Sequence, residues 1–304
     1  MPAFQPGLVH VPVTPFAEEG RIDFDLYATM IDFHLRNGAD ALALPMHAGE
    51  SVSLSEDEKR RVLAFAVEHV SGRAPVIAHV SNAGTAIAAA LAREAERAGA
   101  AGIVATTPYY WTPPASMLLE HFVAIGAAVA IPLLVANAPD EMAGTKLPTE
   151  LVLTLIEKLP NCIGLVDQSL DWQFMIELMT DARRLRPDFQ LLSGTEHMVS
   201  AGAIGATGMF SSLAAIAPRL VRRLYDLCRD EQYFAARSVQ EETAALRQMI
   251  RAGGPASLKA ALRVMGRECG EPRSPLLPLQ GSAYGKLAAD LSTLLALHAE
   301  PGGW

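Results

Sequence analysis

Eight short apolar runs, each followed by an amphipathic stretch, leave few architectures open to this chain. The runs cover residues 8–13, 41–45, 75–80, 102–106, 132–136, 163–166, 189–192 and 207–211. Each is nearly continuous in apolar character and bounded by Gly, Pro, Asn or Asp, the pattern of a strand buried on both faces. Helical periodicity marks the stretches between and after them: 24–36, 56–70, 85–98, 115–128, 149–158, 171–185, 196–203 and 218–229. In the first of these Leu26, Met30, Phe33 and His34 share a face, and Ser55 with Glu58 frames a capping box for the second. Eight strand–helix repeats predict a (β/α)8 barrel, because an open doubly wound sheet commonly has fewer strands. Helical patterns over 231–251, 257–265 and 283–298 complete the chain. The expected organisation is a barrel over residues 1–230, with 231–304 as a C-terminal helical extension of the same domain.

Composition supports a large core and narrows the partners. Half of the 304 residues are hydrophobic and 19% are charged. A net charge of −8 argues against a nucleic-acid or anionic-membrane surface. No run reaches the roughly 18 apolar residues of a membrane span, and residues 1–6 lack the basic and apolar segments of a signal peptide. Cys162, Cys228 and Cys269 show no paired spacing and read as reduced core residues. A cytoplasmic protein with a small-molecule ligand is expected, without nucleic acid or membrane as a partner.

Short motifs follow the apolar runs. Val13-Thr14-Pro15-Phe16 closes the first and Ala48-Gly49-Glu50-Ser51 follows the second. Pro108-Tyr109-Tyr110 follows the fourth, Asn137-Ala138-Pro139 the fifth and Ser193-Gly194 the seventh. Leu258-Lys259-Ala260-Ala261-Leu262 and Pro275-Leu276-Leu277-Pro278-Leu279 come late in the chain. In this order and spacing the chain resembles the dihydrodipicolinate synthase / N-acetylneuraminate lyase family of class I aldolase barrels. The resemblance implies a pocket at the C-terminal strand ends, with Ala48, Gly49, Glu50, Asn137, Val166, Ser193 and Gly194 against the ligand. It further implies a carboxylic acid as that ligand and a homodimer or homotetramer as the assembly.

Position by position, the chemistry that this resemblance implies is altered. Val166 falls where the family carries the lysine that forms a Schiff base with a keto acid, and a valine has no nucleophilic atom. Ala136 falls at the family's proton-relaying tyrosine, and His47 and Ala48 at its paired threonines or Thr/Ser. Asp140-Glu141 stands in place of an arginine that holds a substrate carboxylate. Tyr110, which the family often inserts across a subunit interface, is kept. Of the five lysines, Lys59 and Lys158 fall on outer helices, and Lys259 and Lys286 in the C-terminal helices. Lys146 is then the lysine expected near the strand ends, where barrel sites are built.

Other groups at those ends can carry chemistry. His47, Tyr110 and Glu196 are the expected catalytic residues, His47 first, because an imidazole suits proton transfer near neutral pH. His47, His79, Asp167 and Glu196 form an alternative set that could hold a divalent metal and polarise a keto group. Against that set, histidines often cap loops, and Glu196 fits the first turn of a helix. Asp167 should also point away if Val166 points inward. No cofactor or metal is expected. Gly202, Gly205 and Gly208 precede a strand instead of following one, so they read as a turn and not a dinucleotide loop. The predicted activity is that of a lyase-like enzyme, an aldolase, dehydratase or related, on a small 2-oxo acid or similar carbonyl compound, without a lysine Schiff base. A non-catalytic acid-binding or assembly protein on the same scaffold is the alternative, disfavoured by the ionisable His47, Glu141 and Glu196.

Overall fold

A computed structural model describes residues 4–140 and 145–304. Among these, eight parallel strands close on themselves in chain order: β1 (Leu8–His10), β2 (Ala41–Leu44), β3 (Val76–His79), β4 (Gly102–Thr106), β5 (Leu133–Asn137), β6 (Cys162–Asp167), β7 (Gln190–Ser193) and β8 (Gly208–Ser211). β8 pairs back onto β1, with Val9 opposite Phe210. The helices that follow the strands are α1 (Phe24–Arg36), α2 (Glu56–Val70), α3 (Thr85–Arg97), α4 (Ala115–Gly126), α5 (Thr149–Lys158), α6 (Trp172–Leu185), α7 (Met198–Ile204) and α8 (Pro218–Arg229). The predicted barrel is the observed one.

Alternation along each strand divides the apolar residues between two cores. Val9, Ala43, Ile77, Val104, Leu134, Val166, Leu192 and Phe210, one from each strand, fill the barrel interior, so it is packed solid below its mouth. Their neighbours Leu8, Leu42, Leu44, Ile103, Val135 and Leu165 point outward against the helices. Removing each such leucine or isoleucine side chain from water contributes about 1.5–3 kcal/mol. The pairing register shifts at Leu133/Leu134 against β6. Gly164 lies at this irregularity, where a Cβ would sit only 2.8 Å from the Gln190 carbonyl oxygen.

Side-chain caps from Asp23, Ser55 and Asp171 set the starts of α1, α2 and α6. Ser55 accepts a hydrogen bond from the Glu58 amide and Glu58 accepts one from the Ser55 amide, the reciprocal cap expected from the sequence. α7 starts at Met198, two residues later than expected, because Glu196 is drawn into bonds outside the helix. It ends on Gly205 at φ +101, the turn role read for these glycines.

Three more helices, α9 (Tyr233–Arg251), α10 (Gly254–Val264) and α11 (Gly281–Ser292), follow the barrel. α10 begins three residues before its expected start, with Pro255 in its first turn, where a missing N–H costs nothing. α9 packs on α7 and α8, and α10 on α9 and on the 3-10 turn His47–Gly49 that follows β2. The outer apolar core continues unbroken into them through Leu246, Ile250, Leu258, Leu262 and Leu291. Among the described residues no helix is long and apolar enough to cross a membrane.

Candidate active site

The turn after β2 is clamped from beneath and bare on top. Thr14 Oγ1 donates to the Gly49 carbonyl at 2.6 Å, tying the turn to the end of β1. A Cβ on Gly49 would lie 3.2 Å from both Thr14 Oγ1 and the Pro12 carbonyl oxygen, so the close approach needs glycine. Glu50 adopts the left-handed conformation at φ +56 and sends its carboxylate away from the mouth. There it meets Lys259 Nζ of α10 at 2.8 Å and accepts from the Arg273 amide at 2.8 Å, the Lys259 and Glu50 side chains being fully or nearly fully buried. Held this way, the turn presents His47 to solvent and leaves Ala48 half-buried at the rim.

His79 sits beside that turn. It is the last residue of β3 and lies on the same face as the interior residue Ile77, so its ring points to the mouth. The β2–β3 register, Leu44 opposite Ala78, sets it next to Pro45, two residues before His47. Burial, then the ammonium of Lys59, pushes its pKa down to about 4, against a smaller opposing pull from the Pro45 carbonyl. Lys59 was expected on an outer helix and not near the strand ends, where barrel sites are built. It is instead buried in the first turn of α2, paired at 3.0 Å with Glu56, which also accepts from Asn82 Nδ2 at 3.3 Å. The reason is architectural: each helix runs back down the barrel, so its first turn lies level with the strand ends. The spacing of Lys59 with Val62, Leu63, Ala66 and Val70 on one helical face was a sequence signal for this burial. Lys259 corrects the same expectation, lying directly behind the site's turn.

Below the imidazoles the wall is apolar. Val166 is fully buried on the inner face of β6, next to Ala136 of β5, which is opposite it in register. Gly194 follows β7, and Gln168 packs on the space where its Cβ would be. β6 runs on through Asp167, which therefore points away from the interior, as alternation requires. Asp167 accepts from Asn137 Nδ2 at 2.8 Å and from the amide and hydroxyl of Ser169, and Asn137 Oδ1 accepts from the Leu147 amide at 3.2 Å. Asn137 and Asp167 thus brace the β5 and β6 loops from behind, and both polar atoms of the Asn137 amide, which was expected to touch the ligand, are engaged in that bracing. Burial raises the Asp167 pKa despite these donors. Ser193 also faces outward, its hydroxyl donating to the Thr195 carbonyl at 2.7 Å.

Glu196, expected among the catalytic residues, is turned away from the mouth. Only 1% exposed, its carboxylate takes the Ser211 hydroxyl at 2.6 Å, the Leu213 amide at 3.2 Å and Arg247 Nε of α9 at 2.7 Å. It ties β7, β8 and α9 together. Arg247 lies 51 residues away in sequence, so no local pattern revealed the pairing. The alternative metal set is not assembled: among the described residues no three His, Cys, Asp or Glu groups converge as metal ligands. Tyr110 stands 83% exposed at a loop tip with φ +74, edge-on to Trp111. Lys146 is exposed and 3.5 Å from Asp171. Asp140 is exposed 3.4 Å from Arg251, and Glu141 lies outside the described residues.

Comparisons with known proteins follow the geometry. The model of the dihydrodipicolinate synthetase family matches residues 5–294. The 4-hydroxy-tetrahydrodipicolinate synthase of Azoarcus sp. (strain BH72) is 33% identical over 283 residues, spanning 92% of this chain and 95% of that protein. The crystal structure of dihydrodipicolinate synthase from Aquifex aeolicus superposes with a TM-score of 0.90 at 28% identity, covering 95% of this chain and 98% of the other. A prophage protein of the dihydrodipicolinic acid synthase family from E. coli K12, solved in complex with pyruvate, superposes at 0.88 with 26% identity, covering 96% and 99%.

Proposed function

The chain belongs to the dihydrodipicolinate synthetase family, and on that footing we propose that it is a lyase-type enzyme working by proton transfer. Its substrate is a small 2-oxo acid or similar carbonyl compound, and its reaction an aldol cleavage, dehydration or related step without a lysine imine at position 166. The pyruvate complex of the E. coli relative supports a 2-oxo acid as the ligand class. The observation that carries the reading is the wall under the mouth: Val166 and Ala136 offer no reacting atom there, while His47 and His79 stand at the rim. None of the five lysines lies on a strand, and the three near the strand ends, Lys59, Lys146 and Lys259, each have their ammonium beside a carboxylate. An ammonium is not a nucleophile, so none of the three is set up to attack a carbonyl.

In this reading His47 exchanges a proton with the substrate, and the Ala48–Gly49 turn and Gly194 shape the space for its carboxylate. Tyr110 completes the site of a second protomer in a homodimer or homotetramer. Incubation with pyruvate and borohydride tests the absence of an imine. The expected result is an unchanged protein mass, and stoichiometric labelling of any lysine would restore a covalent aldolase mechanism.

A further inference from the structure

Resting on that reading, we propose that the imidazole of His79 is the proton acceptor of the site, working beside His47 on the C3 protons of pyruvate-like 2-oxo acids. His79 is carried by a strand end, above Ile77 of the packed interior, and not by a loop, which fixes its position relative to a substrate bound at the mouth. The register that sets it beside Pro45 brings it to the base of the turn bearing His47. The charged or titratable groups around it are His47 from the turn, and Lys59 with its partner Glu56 from α2. Asn82, which tethers Glu56, comes from its own loop. On the β4 side the inward residues are Val104 and Thr106, neither of them charged.

This surrounding favours an uncharged ring. Burial disfavours a charged ring, and the buried ammonium of Lys59 opposes a second positive charge, against a smaller pull from the Pro45 carbonyl. A neutral imidazole keeps a lone pair on one ring nitrogen. In the proposed step that nitrogen takes a C3 proton of the oxo acid, and the C–H electron pair becomes the C2=C3 double bond. The C2=O π pair moves onto oxygen, which takes a proton from His47, giving the enol. The reverse step returns a proton to C3, and in heavy water returns a deuteron.

The test follows the pyruvate methyl signal by proton NMR in heavy water with the full-length chain. Wild type should exchange methyl hydrogen for deuterium about 100-fold or more faster than buffer, and His79→Asn should return the rate to near that of buffer. Lys59→Met should keep exchange but move the acid limb of the rate–pD profile upward, because the ring then protonates more readily; a merely structural role would leave that limb in place. Should His79→Asn fold poorly, the 15N imidazole signals of wild type replace it: the His79 resonances should be those of a neutral ring at pH 6 and should shift when pyruvate is added. Wild-type exchange retained in His79→Asn, unresponsive His79 signals, or no exchange by wild type each overturns the proposal. Pyruvate trapped on a lysine by borohydride would defeat the imine-free reading and this proposal together. Without trapping, wild-type exchange by His79→Asn would defeat the role of His79 alone.

Discussion

On the proposed reading, a single side chain, Val166, decides which chemistry this barrel can start. It is fully buried on the inner wall, where any group reaching a bound carbonyl from β6 would have to stand. With no amine there, the proposed reading assigns proton transfer to the rim, where His47 is exposed. Replacing His47 with alanine should lower pyruvate methyl exchange by about 100- to 10,000-fold, the usual contribution of a positioned acid–base group. Because the His47 side chain is exposed and takes no part in the bonds that clamp its turn, stability should change by no more than about 0.5 kcal/mol. Full exchange by His47→Ala, followed by NMR alongside a melting curve, would reject its assignment.

Two buried contacts between elements hold the site's frame. The first joins α10 to the turn after β2 through Lys259 and Glu50, with Lys259 also 4.1 Å from the ring centroid of Phe16. Desolvation lowers the Lys259 pKa even beside its carboxylate. Removing one member of a buried pair strands the other charge, so Lys259→Met should cost about 3–5 kcal/mol in denaturant unfolding. The double variant with Glu50→Gln should recover part of that loss; equal stability of Lys259→Met and wild type would show that the pair holds nothing. The second contact joins β1 to α1, where His10 Nδ1 and His34 Nδ1 lie 3.1 Å apart with neither ring exposed. Burial, then the neighbouring charge of Arg267, holds the His34 pKa down to about 3, and His10 is depressed by burial, His34 and Arg222. Unfolded, each ring would titrate near about 6.5, so below that value the unfolded chain binds more protons than the folded one. Stability should therefore be full above about pH 6.5 and fall as the pH drops toward 3. Melting temperatures across this range should decline, and a flat profile would contradict the neutral pair.

At the scale of the whole molecule, the proposed assembly rests on exposed apolar side chains. Tyr110 and Trp111 stand exposed on one loop, and Val52 and Met117 are also exposed large apolar side chains. Large apolar side chains left in water favour an interface, and an isologous dimer is the simplest closed way to cover them. Light scattering at micromolar concentration should give a dimer or tetramer mass, and Trp111→Asp should shift it toward monomer with the circular dichroism of the barrel unchanged. A wild-type monomer would defeat the assembly and, with it, the role proposed for Tyr110.

The sequence by itself determined the barrel, the helical addition and the strand end to which each candidate residue belongs. Strand and helix periodicities are local, and eight repeats of them admit one closed parallel sheet. Alternation would turn Asp167 away from Val166 unless the strand had already ended at Val166, and the structure carries β6 on through Asp167. Only the tertiary structure decided which side chains share the mouth. Glu196 looked available because its ties to Ser211 and Arg247 join residues 15 and 51 positions apart. Lys59 looked remote because its helix lies outside the barrel, although the helix's first turn is level with the strand ends. His79 gained its place from the register of β3 on β2, and its lowered pKa from burial and then from a lysine twenty residues earlier in the chain. Charges couple through space with a strength set by distance and burial, and neither quantity is written along a sequence.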